Sequence, residues 1–397
     1  MTLNPNPRLD VDRIIDDRRT RIIVCCGSGG VGKTTTAAAL GLRAAERGRQ
    51  VCVLTVDPAR RLAQSMGLST LDNTPRLIED VEGEAGGSLH AMMLDMKRTF
   101  DEIVEAHADP ARAAQILANP FYQSLSSSFA GTQEYMAMEK LGQLRRSDEW
   151  DLIIVDTPPS RSALDFLDAP ERLGRFLDGR LIRLLTSPVK ASRPFTRVLN
   201  AGFSMMTGAL TKLLGAQVLR DAQTFITAFD SMFGGFRERA DATYRLLQAP
   251  GTSFIVIAVP EPDALREASY FVERLAEERM PLAGLILNRV HTVGGCRLSA
   301  ARSVSLAEAL ESTTSGQNGP VAEASSAHYQ AHSPYAVTAA ALRLHASRMS
   351  LGERERRVAG AFTSAHPAVP VLEVPALPED VHDLAGLRRV GGSFAGN

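Results

Sequence analysis

Residues 27–35 read Gly-Ser-Gly-Gly-Val-Gly-Lys-Thr-Thr, directly after the β-rich run Arg21–Cys26 (RIIVCC) and at the head of an Ala-rich helical stretch, Thr34–Arg47. The order strand, glycine loop, helix satisfies the spacing G-x-x-x-x-G-K-[ST]. Each part has a physical task. Gly27, Gly29, Gly30 and Gly32, with Ser28 and Val31 between them, let the backbone wrap closely enough to aim several N–H groups at phosphate oxygens. The N-terminus of the following helix adds positive potential. Lys33 can reach the β- and γ-phosphates, and the Thr34 hydroxyl, followed by Thr35, is placed for Mg²⁺. A glycine turn with a chance lysine would not need these flanks on both sides. The stretch predicts a site for nucleotide phosphates and Mg²⁺.

Outward from the loop, Val51–Val56, Leu89–Leu94, Leu152–Val155, Phe254–Val259, Leu285–Leu287 and Val369–Val374 are further apolar runs. Continuous apolar runs separated by helical patterns imply a mainly parallel, doubly wound α/β sheet covered on both faces. Residues 21–96, 149–160 and 250–392 are assigned to this nucleotide-binding domain. Residues 97–148 and 161–249 carry helical periodicity and read as an inserted α-helical subdomain. Residues 1–20 are expected to form a polar, solvated arm. Residues 312–334, rich in Ser, Thr, Gly and Ala, are expected to form a mobile loop before a helical pattern from Tyr335 to Phe362.

Two aspartates fall at strand ends. Asp57 follows the second run in TVDPAR and could orient an attacking water or accept its proton. Asp156 closes DLIIVD, the place for a carboxylate that holds Mg²⁺ through water. Either alone would be an ordinary turn residue or helix cap, but together beside a phosphate loop they point to function. Pro58 and Pro158 keep the following segments off helix, which suits loops that respond to a γ-phosphate.

Composition narrows the rest. Of 397 residues, 44% are hydrophobic, and 44 basic side chains balance 45 acidic ones for a formal charge of −1. That balance argues against a protein that coats nucleic acid or anionic lipid. Cys25, Cys26, Cys52 and Cys296 have neither a disulfide spacing nor a C-x-x-C pair for zinc. His328 and His332 stand four apart without a third ligand. With no signal-type apolar core and no run of eighteen apolar residues, the expectation is a cytoplasmic protein, peripheral to the membrane at most.

The set GSGGVGKTT, TVDPARRLAQS, AGTQEYMAMEKL, DLIIVDTPPSRSALDFL, IAVPEPDALREA, LILNRV and VLEVPALPEDVHDL resembles the ATPase family of arsenite-pump subunits and tail-anchored-protein targeting factors. The matches run in family order from about residue 21 to residue 390. The resemblance implies that Gly27–Thr35 bind nucleotide phosphates, that Thr34 holds magnesium, and that Asp57 is the catalytic carboxylate of switch I. Asp156 would begin switch II. Glu261 and Asn288 match nucleotide-contacting positions, Asn288 at the adenine edge, and Pro375 matches a segment against the base.

Departures from the family pattern carry their own expectation. Ser28 stands where relatives place a lysine that crosses a dimer interface to the partner's nucleotide. A hydroxyl cannot replace that cation. Arg60, Arg61, Ala63 and Gln64 replace the usual His, Asn, Ser and Asp of switch I, and Ser162 replaces a histidine of switch II. The resemblance therefore implies half of a heterodimer with a homologous ATPase subunit that keeps the lysine. A homodimer of weak activity is the alternative.

The segment Val198–Leu219 carries only Lys212 as a charge and holds Met205 and Met206. Such a stripe is either ordinary core or an adaptable surface for a hydrophobic client or membrane-protein partner. The alternatives are an arsenite-pump ATPase subunit, which would need converging thiolates, and a nucleotide-binding subunit with little hydrolysis of its own. Partition ATPases share the loop but depend on DNA or a terminal amphipathic helix, for which the ending LRRVGGSFAGN shows no signal.

Overall fold

The structure is a computed structural model that describes residues 7–56, 60–68, 70–81, 86–120, 122, 123, 126, 132–158, 238–291, 298–316 and 334–395. Among the described residues one sheet is assembled from β1 (Ile22–Cys26), β2 (Gln50–Thr55), β3 (Arg76–Leu77), β4 (Ser88–Met93), β5 (Leu152–Asp156), β6 (Thr252–Ala258), β7 (Leu282–Val290) and β8 (Val371–Pro375). Their spatial order is β3-β4-β2-β5-β1-β6-β7-β8, and only the short β3 runs antiparallel to its neighbour. After β1 the chain winds first towards β2 and β4, then returns and continues towards β8. The reversal lies beside β1, and in open sheets of this kind ligands bind there, beyond the carboxyl ends of the strands.

The apolar runs form buried strands because both faces are covered, so every residue of β1 is buried. Side chains of a strand alternate between faces. Ile22, Val24 and Cys26 join one core, and Ile23 and Cys25 join the other. The first core is closed by α4 (Met96–His107), α5 (Pro110–Leu117) and α6 (Thr132–Ser147), through Phe100, Ile103, Val104, Ile116, Met136 and Leu141. The described helices of 97–148, the stretch assigned to an inserted helical subdomain, pack on the sheet and share its core. Residues 238–248 are helical on the same side, with Ala240 and Leu247 in that core, while 159–237, including Val198–Leu219, lie outside the described residues.

The second core is closed by α1 (Val11–Asp16), α2 (Lys33–Glu46), α3 (Arg60–Ser65) and a C-terminal helix, Leu384–Gly392. Here the N-terminal segment departs from the solvated arm expected of it. Leu9, Val11 and Ile15 are buried, Asp10 caps α1 through the Arg13 amide, and at the edge of β8 the Leu9 amide donates to the Val371 carbonyl while the Val371 amide donates to the Pro7 carbonyl. Charge is what the sequence displays, but the apolar residues recur at helical spacing and carry the packing. Arg49 locks the segment in place: buried itself, it donates to the carbonyls of Ile15, Thr20 and Asp151 at 2.6–2.7 Å.

The C-terminal ending also proves to be helical, and its apolar face, Leu387 and Val390, is spent on the α2 side of the sheet. Pro262–Glu277, Ala300–Gly316 and Pro334–Ala365 complete the helices named here, as α7, α8 and α9. Of the expected loop 312–334, residues 312–316 belong to α8 and Pro334 begins α9. Residues 317–333 lie outside the described residues.

Candidate functional site

The glycine loop is dictated by crowding at its base. Gly27 has φ +152°, and a Cβ there would lie 2.1 Å from the carbonyl oxygen of Ile257 on β6. No side chain fits. Gly32, with φ +93°, is the residue before α2 and provides no side-chain cap. The first turn of α2 holds no acidic residue either, so its amides and dipole are available to an anion.

Lys33 is buried and folds back across the loop, where Nζ donates to the Ser28 carbonyl at 2.7 Å. Asp156, fully buried at the end of β5, accepts from the Thr34 hydroxyl at 2.7 Å and from the Thr55 hydroxyl at 3.0 Å. Three elements therefore converge on one carboxylate: the start of α2, the end of β2 and the end of β5. Thr157 Oγ1 donates to the Cys25 carbonyl at 2.9 Å, fixing the chain beyond Asp156 against β1. Thr55 and Thr157 carry no motif, and only the register of β2 and β5 on either side shows what they touch.

An open cleft of about 1030 Å³ lies over the loop and is lined by Gly30, Lys33, Thr34, Thr35, Asn288 and Pro375, among others. Asn288 is fastened to the loop, since its Nδ2 donates to the Val31 carbonyl at 2.9 Å. Pro375 closes β8 opposite Val290 of β7. The structure thus brings Asn288 and Pro375 to the phosphate loop from residues far away in sequence.

Glu261 is placed differently. It lines a second, smaller cleft of about 430 Å³ with Ser28, Gly29, Val31, Asp263 and Glu267, while Gly30 and Arg289 line both clefts. Asp57 and the side chains of Arg60, Arg61 and Ser162 lie outside the described residues. Ala63 is buried in the core and Gln64 lines the larger cleft.

Among the described residues the thiols do not converge, and Cys296 lies outside those residues. Cys25 and Cys26 face opposite sides of the sheet, and Cys52 is buried in the core that holds Cys26. Burial pushes Cys26 and Cys52 up to about 12, and burial together with the Asp156 carboxylate holds Cys25 well above the ordinary thiol range. Neutral, enclosed thiols are poor ligands for a soft cation. Among the described residues no group of three His, Cys, Asp or Glu side chains is arranged to hold a metal.

A mainly parallel sheet with a G-x-x-x-x-G-K-[ST] loop between β1 and α2, facing a carboxylate at the end of a neighbouring strand, defines a P-loop nucleotide-binding protein. The model of one protein family, described as anion-transporting ATPase, matches residues 20–303, well over half of the sequence. The chain belongs to the anion-transporting ATPase family and is an ATPase of the P-loop type. It is 25% identical to "ATPase GET3" of Malassezia globosa over 280 residues, 70% of this chain and 76% of that protein. It is 24% identical to "ATPase ARSA2" of Chlamydomonas reinhardtii over 309 residues, 75% of this chain and 76% of the other. "ATPase GET3" of Ajellomyces dermatitidis is 24% identical over 282 residues, again 70% and 76%. Among the described residues no helix is long and apolar enough to cross a membrane.

Proposed function

We propose that the chain binds MgATP in the larger cleft and hydrolyses it, and that closure of a two-subunit assembly on ATP drives a hydrophobic client or a membrane-protein partner. The observation that carries this is the 2.7 Å bond between Thr34 Oγ1 and Asp156 Oδ2 at the mouth of the loop. A hydroxyl and a carboxylate are the hard oxygen donors that Mg²⁺ selects, and an ion that keeps most of its waters needs few protein ligands. Bound there, magnesium would neutralise charge on the phosphate chain.

The chain's own residues supply the rest. Gly27–Thr35 wrap the phosphates with backbone amides, and Lys33 turns its ammonium from the Ser28 carbonyl to the phosphate chain. Asn288 and Pro375 bound the side of the cleft suited to the base. Asp57 is the carboxylate that would orient water or take its proton. In support, Val56, the residue before it in the sequence, donates its amide to the Asp156 carbonyl at 3.1 Å.

Ser28 supports an unequal assembly. The smaller cleft beside it is lined by Glu261, Asp263 and Glu267 as well as Arg289, an acidic margin that would receive a cation from a homologous subunit. The chain would then be one half of a heterodimer, and its composite sites would turn over unequally. The arsenite-pump reading receives no support from Cys25, Cys26 or Cys52.

Calorimetric titration with MgATP, and with ATP after magnesium removal, tests the site. Binding should need Lys33 and be tighter with magnesium than without it, and Asp57→Asn should bind but not turn over. Heat from Lys33→Ala equal to that of the parent chain would end the reading. For the assembly, equal turnover per site by this chain alone and with a lysine-bearing subunit would exclude the heterodimer.

A further inference from the structure

β7 does not run straight past the loop. Its pairing with β8 slips between Leu287 and Val290, so Asn288 and Arg289 form an irregularity at the end of the strand nearest the cleft. Within it Arg289 has φ +58°, a left-handed conformation that is uncommon for a residue with a long side chain. Bulges of this kind re-aim side chains, and a strained backbone persists only where its surroundings hold it. The holding contact is visible: Asn288 is bonded to the Val31 carbonyl, so the irregularity is pinned to the phosphate loop.

The result places Arg289 on the ridge between the two clefts, lining both, with Gly30 of the loop as the other shared residue. Space remains between them, since a Cβ built on Gly30 would meet nothing within 4 Å. Arg289 is exposed, and its guanidinium makes no ion pair with a described residue, although Glu261 and Glu267 line the same smaller cleft. A solvated strand-end arginine would need neither the slip nor the left-handed backbone. A cation held over an anion site by both is accounted for by a ligand.

We infer that Arg289 is a phosphate-contacting residue of the nucleotide site, supplying from β7 of the same chain a positive charge that the loop lacks at Ser28. A guanidinium matches phosphate oxygens with two parallel donors, which an ammonium on a flexible stem cannot. This inference rests on the MgATP reading. It adds to that reading a residue that distinguishes polyphosphates from a nucleoside with a single phosphate.

The decisive variant is Arg289→Gly, because glycine is at ease at φ +58° and should fold at least as well as the parent chain. Kd values for MgATP, MgADP and AMP, with Tm of the nucleotide-free protein, are measured for the parent chain, Arg289→Gly and Arg289→Lys. Arg289→Gly should keep or raise Tm yet weaken MgATP and MgADP by about tenfold to a hundredfold, the range for a hydrogen bond to a charged group. AMP should change little, and Arg289→Lys should recover part of the loss. Unchanged MgATP affinity in Arg289→Gly, beside a parent chain that binds normally, overturns this inference alone. An equal loss for AMP does so too. A parent chain that binds no MgATP removes the nucleotide reading and this inference with it.

Discussion

Glu355, buried in α9, accepts two hydrogen bonds from a single residue: the His291 amide at 2.8 Å and His291 Nδ1 at 2.7 Å. His291 directly follows β7 and lines the larger cleft, three residues beyond Asn288. The pair ties the longest of the described helices to the strand end that borders the candidate site.

Replacing Glu355 by alanine leaves the His291 amide without its acceptor in a half-buried position. The loss should be about 1–3 kcal/mol, the cost of an unsatisfied polar group. Thermal unfolding of Glu355→Ala beside Glu355→Gln checks this, since glutamine keeps one acceptor and should lose less. Identical Tm values for parent and alanine variant would show that the clamp contributes nothing.

The Thr34–Asp156 bond predicts a metal-linked phenotype. Asp156→Asn should weaken the magnesium-dependent part of nucleotide affinity by about tenfold to a hundredfold, the range for disturbed metal sites. Affinity measured in the absence of magnesium should stay close to that of the parent chain. If both affinities fall together, Asp156 serves the fold through Thr55 and Thr34 and not the metal.

The loop glycines should differ sharply on replacement by alanine. Gly27→Ala sets a methyl 2.1 Å from a backbone carbonyl that cannot move, so little folded protein is expected. At Gly32 the nearest atom is Asn288 Nδ2 at 2.4 Å, a side chain that can swing away, so Gly32→Ala should fold but lose the Asn288–Val31 bond and nucleotide affinity. Gly30→Ala meets no neighbour and bears only the left-handed backbone strain, about 1–3 kcal/mol. Soluble yield and nucleotide affinity of the three variants rank them, and a well-folded Gly27→Ala would contradict the packing described.

The buried thiols predict an alkaline limit. Cys26 and Cys52 ionise at about 12 in the folded chain, against an ordinary value of 9.0. Between those values the unfolded chain has released protons that the folded chain still holds, so stability falls as pH rises through this window. Below about pH 9 these groups should contribute no pH dependence. Tm measured across the alkaline range checks the sign, and native Cys25, Cys26 and Cys52 should resist alkylation until the protein unfolds.

The fold was legible where local and global preferences agree. RIIVCC, VCVLTV and DLIIVD carry the unbroken apolar runs IIVCC, VCVL and LIIV, as strands buried on both faces must, and they became β1, β2 and β5. The first twenty residues misled because their charges are conspicuous, while Val11 and Ile15 anchor them. Residues 97–148 were legible as helices. Nothing local could say that Phe100 and Met136 would complete the same core as Val24 and Val155.

By itself the sequence determined the phosphate loop, the parallel α/β class and the family, because glycine, lysine and threonine at fixed spacing are required by phosphate geometry wherever they occur. Tertiary structure alone decided that Thr55 joins Thr34 on Asp156, that Glu261 keeps company with Ser28 instead of the larger cleft, and that Arg289 lines both clefts. Those relationships depend on which strands lie side by side and on a slip in their register. Pairing of that kind links residues far apart in the chain, so no local pattern records it.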